Sequence, residues 1–186
     1  MRIIAGSARG VTLKGPPDAG TRATADKVRG AMFNILATRI AGARILDLYA
    51  GTGAIGIEAL SRDADSCDFV ERRHALCAII RDNLGKARLA TRGRVVQAEV
   101  PRVLASLHGP YDIVFADPPY DDVESLVLVA LPSLHSLLGT GGVVVVEHSP
   151  RAEVAADVGP LRFVRTRRYG DSAVSMWQRQ DEEVLS

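Results

Sequence analysis

The stretch that decides the fold is Ile45–Gly56, I-L-D-L-Y-A-G-T-G-A-I-G. Ile45, Leu46, Leu48 and Tyr49 make an apolar run of the kind expected for a parallel strand buried on both faces. Gly51 and Gly53 then permit a tight turn with close backbone approach to a ligand. Gly56 lets the helix that follows pack close to the strand, so the reading is strand, glycine turn, helix.

Gly51-x-Gly53-x-x-Gly56 fits the dinucleotide fingerprint, a weak signal when it stands alone. Asp47 changes the reading. A carboxylate four residues before the first glycine repels a pyrophosphate but suits a ligand that carries an ammonium group. S-adenosylmethionine (SAM) is such a ligand, with an α-amino group, a sulfonium and a single carboxylate. Asp47 would meet the amino group directly or through a water. Glu71, twenty residues beyond Gly51 and at the end of the next predicted strand, stands where a carboxylate accepts hydrogen bonds from ribose hydroxyls.

The second informative motif is Asp117-Pro118-Pro119-Tyr120, at the end of a strand predicted over 111–116. The two prolines fix φ and remove two backbone donors, so the turn is stiff and offers carbonyls. An exocyclic amine has two hydrogens to donate. It can meet the Asp117 carboxylate and the Pro118 carbonyl together, which aims the nitrogen lone pair at a methyl group. Tyr120 supplies a flat face for a planar base. In a doubly wound sheet the first and fourth strands adjoin at the switch point, which sets Asp47 and Asp117 beside one crevice.

The remaining patterns complete one α/β domain over residues 21–180. Residues 1–20 predict a small β-hairpin, with Arg2 to Ala5 and Val11 to Lys14 as its strands and Gly15-Pro16-Pro17 as its stop. Such a pair has no core of its own and must lean on the main domain. A helix over 25–39, N-capped by Thr24, turns Val28, Met32, Ile35, Leu36 and Ile40 inward and leaves Lys27 and Arg29 off that stripe. Then follow a helix over 54–60, a strand over 66–70, a helix over 73–86 buried through Leu76, Ile79, Ile80 and Leu84, a strand over 95–97 and a helix over 102–107. After the fourth strand come a helix over 122–138 interrupted near Pro132, a glycine loop over 139–142 and a β-branched strand over 143–147. Strands over 161–169 and 173–177 turn through Gly170-Asp171 and must be antiparallel. Residues 181–186 read as a loose tail.

Apolar residues make up 47% and charged residues 24%, as in an ordinary soluble domain, and no segment approaches the roughly 20 apolar residues of a membrane span. M-R-I-I-A-G-S-A-R-G lacks the apolar region of a signal peptide, so the expected location is cytoplasmic. Cys67 and Cys77 read as buried thiols, and His74, His108, His135 and His148 have no ligand company, so no metal site is expected. Net charge is only +1, but Arg2, Arg9, Lys14, Arg22, Lys27 and Arg29 against Asp18 and Asp26 give residues 1–30 a balance of +4. Arg162, Arg165, Arg167 and Arg168 form a second basic cluster. Charge alone fits either a nucleic-acid arm or a solvated edge that prevents aggregation.

Nearly the whole chain resembles the RsmD family of bacterial 16S ribosomal RNA guanine 2-amino methyltransferases. The resemblance rests on R-I-I-A-G-S-A-R-G at 2–10, R-A-T-A-D-K-V-R-G-A-M-F-N-I-L at 22–36, D-L-Y-A-G-T-G-A-I-G-I-E-A-L-S-R at 47–62, F-V-E-R at 69–72, D-P-P-Y at 117–120 and Y-G-D-S at 169–172. It implies a Rossmann-like class I SAM-dependent methyltransferase fold, a mostly parallel seven-stranded sheet with an antiparallel last strand and a small N-terminal β-hairpin. It also implies methyl transfer from SAM to the 2-amino group of one guanine in 16S rRNA, by a monomer acting on a partly assembled small subunit.

The cofactor positions so implied are Asp47, Ala50, Gly51, Thr52, Gly53, Glu71, Arg72, Asp117 and either Ala98 or Glu99; the family's acid after the third strand falls on Ala98. Asp117, Pro118, Pro119 and Tyr120 are the catalytic positions. Arg22, Thr24 and Arg29 match family positions that touch substrate or order the loop over the cofactor, although Ala23 stands where the family usually has proline. Arg2, Arg9 and Lys14 are expected to bind RNA while contributing little to the cofactor site. The other readings are an amino-methyltransferase acting on adenine or another nucleic acid, an NAD-dependent oxidoreductase and a non-catalytic RNA-binding module.

Overall fold

The computed structural model describes residues 1–15, 23–118, 131–152, 154 and 156–180. Arg22, Pro119, Tyr120, the start of the helix expected from Asp122 and the tail at 181–186 lie outside the described residues.

Seven strands form one sheet: β1 (Arg44–Leu48), β2 (Ser66–Glu71), β3 (Gly93–Gln97), β4 (Tyr111–Ala116), β5 (Leu138–His148), β6 (Leu161–Tyr169) and β7 (Ser172–Arg179). Their order is β3-β2-β1-β4-β5-β7-β6. The first five run parallel, and β7 lies antiparallel between β5 and the edge strand β6. A two-residue turn at Gly170-Asp171 forces that reversal, because parallel neighbours need a long crossover.

Both faces of the sheet are covered, which is why its central strands are mostly apolar, with Asp47 of β1 a buried exception. Ile45, Phe69, Ile113, Phe115 and Val145 point to one side, where α1 (Ala23–Leu36), α2 (Ala54–Ser61) and α3 (His74–Lys86) add Met32, Phe33, Ile57, Leu60 and Ile80. Leu46, Leu48, Val70, Val114 and Val144 point to the other, against Val100 and Val103 of α4 (Val100–Val103) and Leu134 and Leu137. His148 is a buried, satisfied histidine: Nε2 lies 2.7 Å from Ser175 Oγ and Nδ1 2.8 Å from the Ser149 carbonyl. Cys67 and Cys77 are buried and free. Among the described residues no helix is long and apolar enough to cross a membrane.

Several boundaries differ from the sequence expectation for physical reasons. β1 stops at Leu48, not Tyr49, because Tyr49 takes a left-handed conformation with φ of 57° that turns the chain out of the strand. The described part of α1 begins at Ala23, so Thr24 lies inside the helix and does not cap it, and the last expected turn is a 3-10 turn at Ala37–Arg39. The helix expected over 102–107 starts earlier, at Val100, and tightens to a 3-10 turn at Leu104–Ser106. Gly139–Gly142 is not a loop before β5 but an irregularity inside it, since Tyr111 pairs with Leu138 and Ile113 with Val143.

The N-terminal segment folds back on itself through one antiparallel bridge, Arg2 to Thr12, with the Ile3 N–H on the Val11 carbonyl at 3.0 Å, the Gly10 N–H on the Ile3 carbonyl at 2.9 Å and the Leu13 N–H on the Met1 carbonyl at 3.0 Å. Others of its amides bind α2. Glu58 Oε2 accepts the Ile4 N–H at 2.7 Å and Oε1 the Ala5 N–H at 3.0 Å, while Ser61 Oγ accepts the Ala8 N–H at 3.0 Å. Ile3, Ala8 and Leu13 are buried in the main core, which supplies the apolar contact the segment lacks alone. Gly6 comes so close to α2 that a Cβ there would lie 1.6 Å from the Ser61 carbonyl oxygen.

Candidate active site

The turn after β1 is built from hydrogen bonds that the surrounding strands and helices supply. Ala50 N–H reaches the Val70 carbonyl at 2.9 Å, and Gly53 N–H folds back to the Ala50 carbonyl at 2.7 Å. Gly53 sits at φ of 80° against Ile80, whose Cγ2 would be 3.1 Å from any added Cβ. Gly56 has no room either: a Cβ there would meet Phe69 Cε1 at 2.3 Å and Cys67 Sγ at 2.6 Å. Glycine at these two positions keeps the turn tight and holds α2 against β2.

Two carboxylates brace this turn. Asp47 is buried at the end of β1, and its Oδ2 accepts the Gly56 N–H at 2.9 Å from the first turn of α2. Glu71, buried at the end of β2, accepts the Gly51 N–H at 3.0 Å on Oε2 and the Arg73 N–H at 2.7 Å on Oε1. A carboxylate has lone pairs for further donors, so these contacts leave acceptor capacity for a ligand.

Asp117 follows β4, and β4 pairs directly with β1, with Leu48 opposite Ala116. Three carboxylates therefore converge. Burial pushes the Asp47 carboxyl up to about 7, the Gly56 N–H partly offsets this, and the negative charges of Asp117 and Glu71 add to the rise. Such a site disfavours a pyrophosphate and favours a cation-bearing ligand, whose positive charge would restore Asp47 to its ionised form.

The other predicted positions fall as follows. Ala50 and Thr52 are buried in the turn, Arg72 is exposed just after Glu71, and Pro118 is buried behind an exposed Asp117. Ala98 is half-buried, and its N–H binds the Glu71 carbonyl at 3.1 Å. Glu99 is exposed and pairs with Arg102 at 3.3 Å, whereas Ala98 packs against the core on the α4 side. Arg2, Arg9 and Lys14 are exposed. Arg29 is not on an exposed face: it is 4% exposed, and its Nη2 donates to the Arg2 carbonyl at 2.6 Å.

Two residues that matter to the site escaped the sequence reading. Asn83 is fully buried on α3, and its Nδ2 donates to the Thr52 carbonyl at 3.0 Å and to the Lys14 carbonyl at 3.1 Å. The signal was present, since Asn83 stands on the same stripe as Ile79, Ile80 and Leu84. Glu58, also fully buried, was visible as the one charge within the short apolar helix A-I-G-I-E-A-L-S. Through Asn83 the N-terminal segment joins the glycine turn by main-chain hydrogen bonds.

The sequence profile of the family described as Conserved hypothetical protein 95 matches residues 1–178. Across its full length the "Putative rRNA methyltransferase YlbH" of Bacillus subtilis is 34% identical over 183 residues, which is 97% of this chain and 100% of that protein. The chain is a member of the RsmD family. A second RsmD relative, "Ribosomal RNA small subunit methyltransferase D" of Escherichia coli K12, is 42% identical over 120 residues, covering 64% of this chain and 60% of that protein. Among solved structures, the "Putative methyltransferase yhhF" of Escherichia coli superposes with a TM-score of 0.84 at 33% identity, covering 98% of this chain and 99% of that one.

Proposed function

We propose that this protein transfers a methyl group from SAM to the exocyclic 2-amino group of a guanine in the 16S rRNA of the small ribosomal subunit. The observation that carries the reading is the meeting of two motifs across adjacent strands: the Asp47 and Glu71 carboxylates around the glycine turn, and Asp117-Pro118 one strand away. RsmD membership supports rRNA as the substrate.

The residues fit SAM. Asp47 would hold the amino group, Glu71 the ribose hydroxyls, and the backbone of Ala50 to Gly53 the space beside them. Half-buried Ala98, behind Glu71, would border the adenine. When bound, SAM supplies an electrophilic methyl group on a sulfonium sulfur. Asp117 would accept a hydrogen bond from the target amine and favour the positive charge that develops on its nitrogen as the nitrogen–carbon bond forms and the carbon–sulfur bond breaks, after which the amine gives up one proton. Pro118, with its φ fixed, holds its carbonyl as the second acceptor, so the amine is oriented by two fixed groups. A dinucleotide would have to bring its pyrophosphate into a cluster of three carboxylates, which weighs against an oxidoreductase.

The enzyme would act in the cytoplasm as a monomer on a partly assembled small subunit. Transfer of labelled methyl groups from SAM to naked 16S rRNA and to small-subunit particles, with the modified base mapped, tests this. Label on the 2-amino group of one guanine is the expected result. Label on adenine alone, or none on any rRNA, would overturn it.

A further inference from the structure

We infer that the groove between α1 and β6 is a docking track for the phosphodiester backbone of RNA; as a track for substrate, it rests on the rRNA reading above. The groove, about 380 Å3, is lined by Ala31, Asn34 and Ile35 of α1 and by Arg165, Arg167 and Tyr169 of β6. Among the described residues no carboxylate lines it. Lys27, exposed one turn before Ala31 on the same side of α1, extends the positive charge toward the end of the helix.

The position of the groove connects it to the chemistry. Ala116 pairs with Val146 of β5, Val146 with Ser175 of β7, and Ser175 with Thr166 of β6. Asp117 and Arg167 each stand one residue past this row, at the same end of the sheet. Three interstrand spacings, roughly 14 Å, separate them. A strand of RNA with one base at Asp117 would carry its neighbouring phosphates across β5 and β7 to the groove. Tyr169, half-buried where β6 turns at Gly170, offers a ring to an unstacked base there.

A charged edge strand can also serve only to block aggregation, and β6 is the edge. That role asks for cations held out in water. Arg165 is turned the other way: it is half-buried, and its Nε is buried with no hydrogen-bond partner among the described residues. An Nε held so loses hydration without compensation, while arginine's planar fork matches a phosphate. None of Arg162, Arg165, Arg167 and Arg168 pairs with a carboxylate among the described residues.

The test compares Arg165→Gln/Arg167→Gln with wild type and with a control of equal charge on the far end of α3, Lys86→Gln/Arg88→Gln. Binding to naked 16S rRNA is measured across salt concentrations, together with the KM for RNA, kcat and the Kd for SAM. The groove variant should lower the log-log salt slope by roughly 1.4 to 1.8, at about 0.7 to 0.9 per lost phosphate contact, and raise the KM for RNA roughly tenfold. Its kcat and SAM Kd should match wild type, and the control should change none of these. Should loss of Arg165 disturb folding, exposed Arg167→Gln alone reads half the slope change. A groove variant with wild-type slope and KM overturns the proposal. So does one impaired only on small-subunit particles while binding naked rRNA normally, since the groove would then hold a protein. Wild-type protein that binds RNA with a slope the groove variant flattens, yet methylates no rRNA, keeps the track and overturns the substrate reading instead.

Discussion

Lys14 and Asn83 hold each other through both of Lys14's main-chain groups: its N–H donates to Asn83 Oδ1 at 2.8 Å, and Asn83 Nδ2 returns to its carbonyl at 3.1 Å. The same amide reaches the Thr52 carbonyl at 3.0 Å. One buried side chain thereby fastens the N-terminal segment to the glycine turn proposed to hold the cofactor.

Asn83→Ala should cost about 2 kcal/mol of stability, because it strands polar partners that are wholly or partly buried. It should also weaken SAM binding while leaving kcat at saturating SAM near wild type. Denaturant melts and calorimetry read the two effects separately. An unchanged SAM Kd in a folded variant would mean that the turn holds its shape without the N-terminal segment.

Asp47 predicts an unusual pH dependence. Its folded-state value near 7 lies above the 3.8 of an unperturbed carboxyl, so the folded protein holds this proton more tightly than the unfolded chain. Its contribution to stability is therefore fully present below about pH 4 and is lost as pH rises toward 7, by up to about 4 kcal/mol. Asp47→Asn should remove that loss and make the ligand-free protein more stable than wild type at pH 8, yet abolish SAM binding. Wild-type SAM affinity should fall below pH 7, where the carboxyl is protonated. Denaturation of both proteins between pH 4 and 8 checks the difference, which would be flat if Asp47 were ionised throughout.

Asp117→Ala should keep SAM affinity and lose methyl transfer by two orders of magnitude or more, in line with roughly 10²–10³ for loss of one fixed electrostatic group. Asp117→Asn should be milder, since it keeps one acceptor. Single-turnover assays at saturating RNA measure this directly, and a rate near wild type for the alanine variant would remove Asp117 from the chemistry.

Glu58 governs the N-terminal segment. Its buried carboxylate receives the Ile4 and Ala5 amides and the Arg62 guanidinium, whose Nε lies 2.7 Å away. Glu58→Ala should destabilise the domain by about 3 kcal/mol, as expected for breaking a buried charged pair. It should also speed amide exchange and proteolysis within residues 1–15. Protection of these residues at the wild-type level would show that Ser61 and the buried Ile3, Ala8 and Leu13 suffice.

Exposed Arg2, Arg9 and Lys14 remain candidates for phosphate contact, although Lys14 Nζ already lies 3.9 Å from Asp82. Replacing all three with alanine should flatten the salt dependence of RNA binding by roughly 0.7 to 0.9 per contact and leave the SAM Kd unchanged. A wild-type slope would make the segment structural alone.

Sequence by itself determined the features whose physical demands are local. A tight turn at Gly51 to Gly53, a close helix at Gly56, a rigid turn at Pro118 and an antiparallel return at Gly170-Asp171 follow from what each backbone permits. The central strands were legible because burial on both faces leaves an apolar run. Tertiary structure decided which groups meet across distance. Arg29 reads as an exposed cation, yet it turns inward because the Arg2 carbonyl accepts its guanidinium. The segment at 1–15 reads as a hairpin, and only the fold shows that its Ile4, Ala5 and Ala8 amides satisfy Glu58 and Ser61 on α2. Tyr49 reads as strand, yet the chain must leave the sheet there to bring Ala50 N–H to the Val70 carbonyl. The raised Asp47 carboxyl and the groove at Arg165 belong to the same class, because charge and hydration depend on neighbours distant in the chain, Asp117 for Asp47 and the residues from Ala31 to Ile35 for Arg165, and only the packed fold brings those neighbours together.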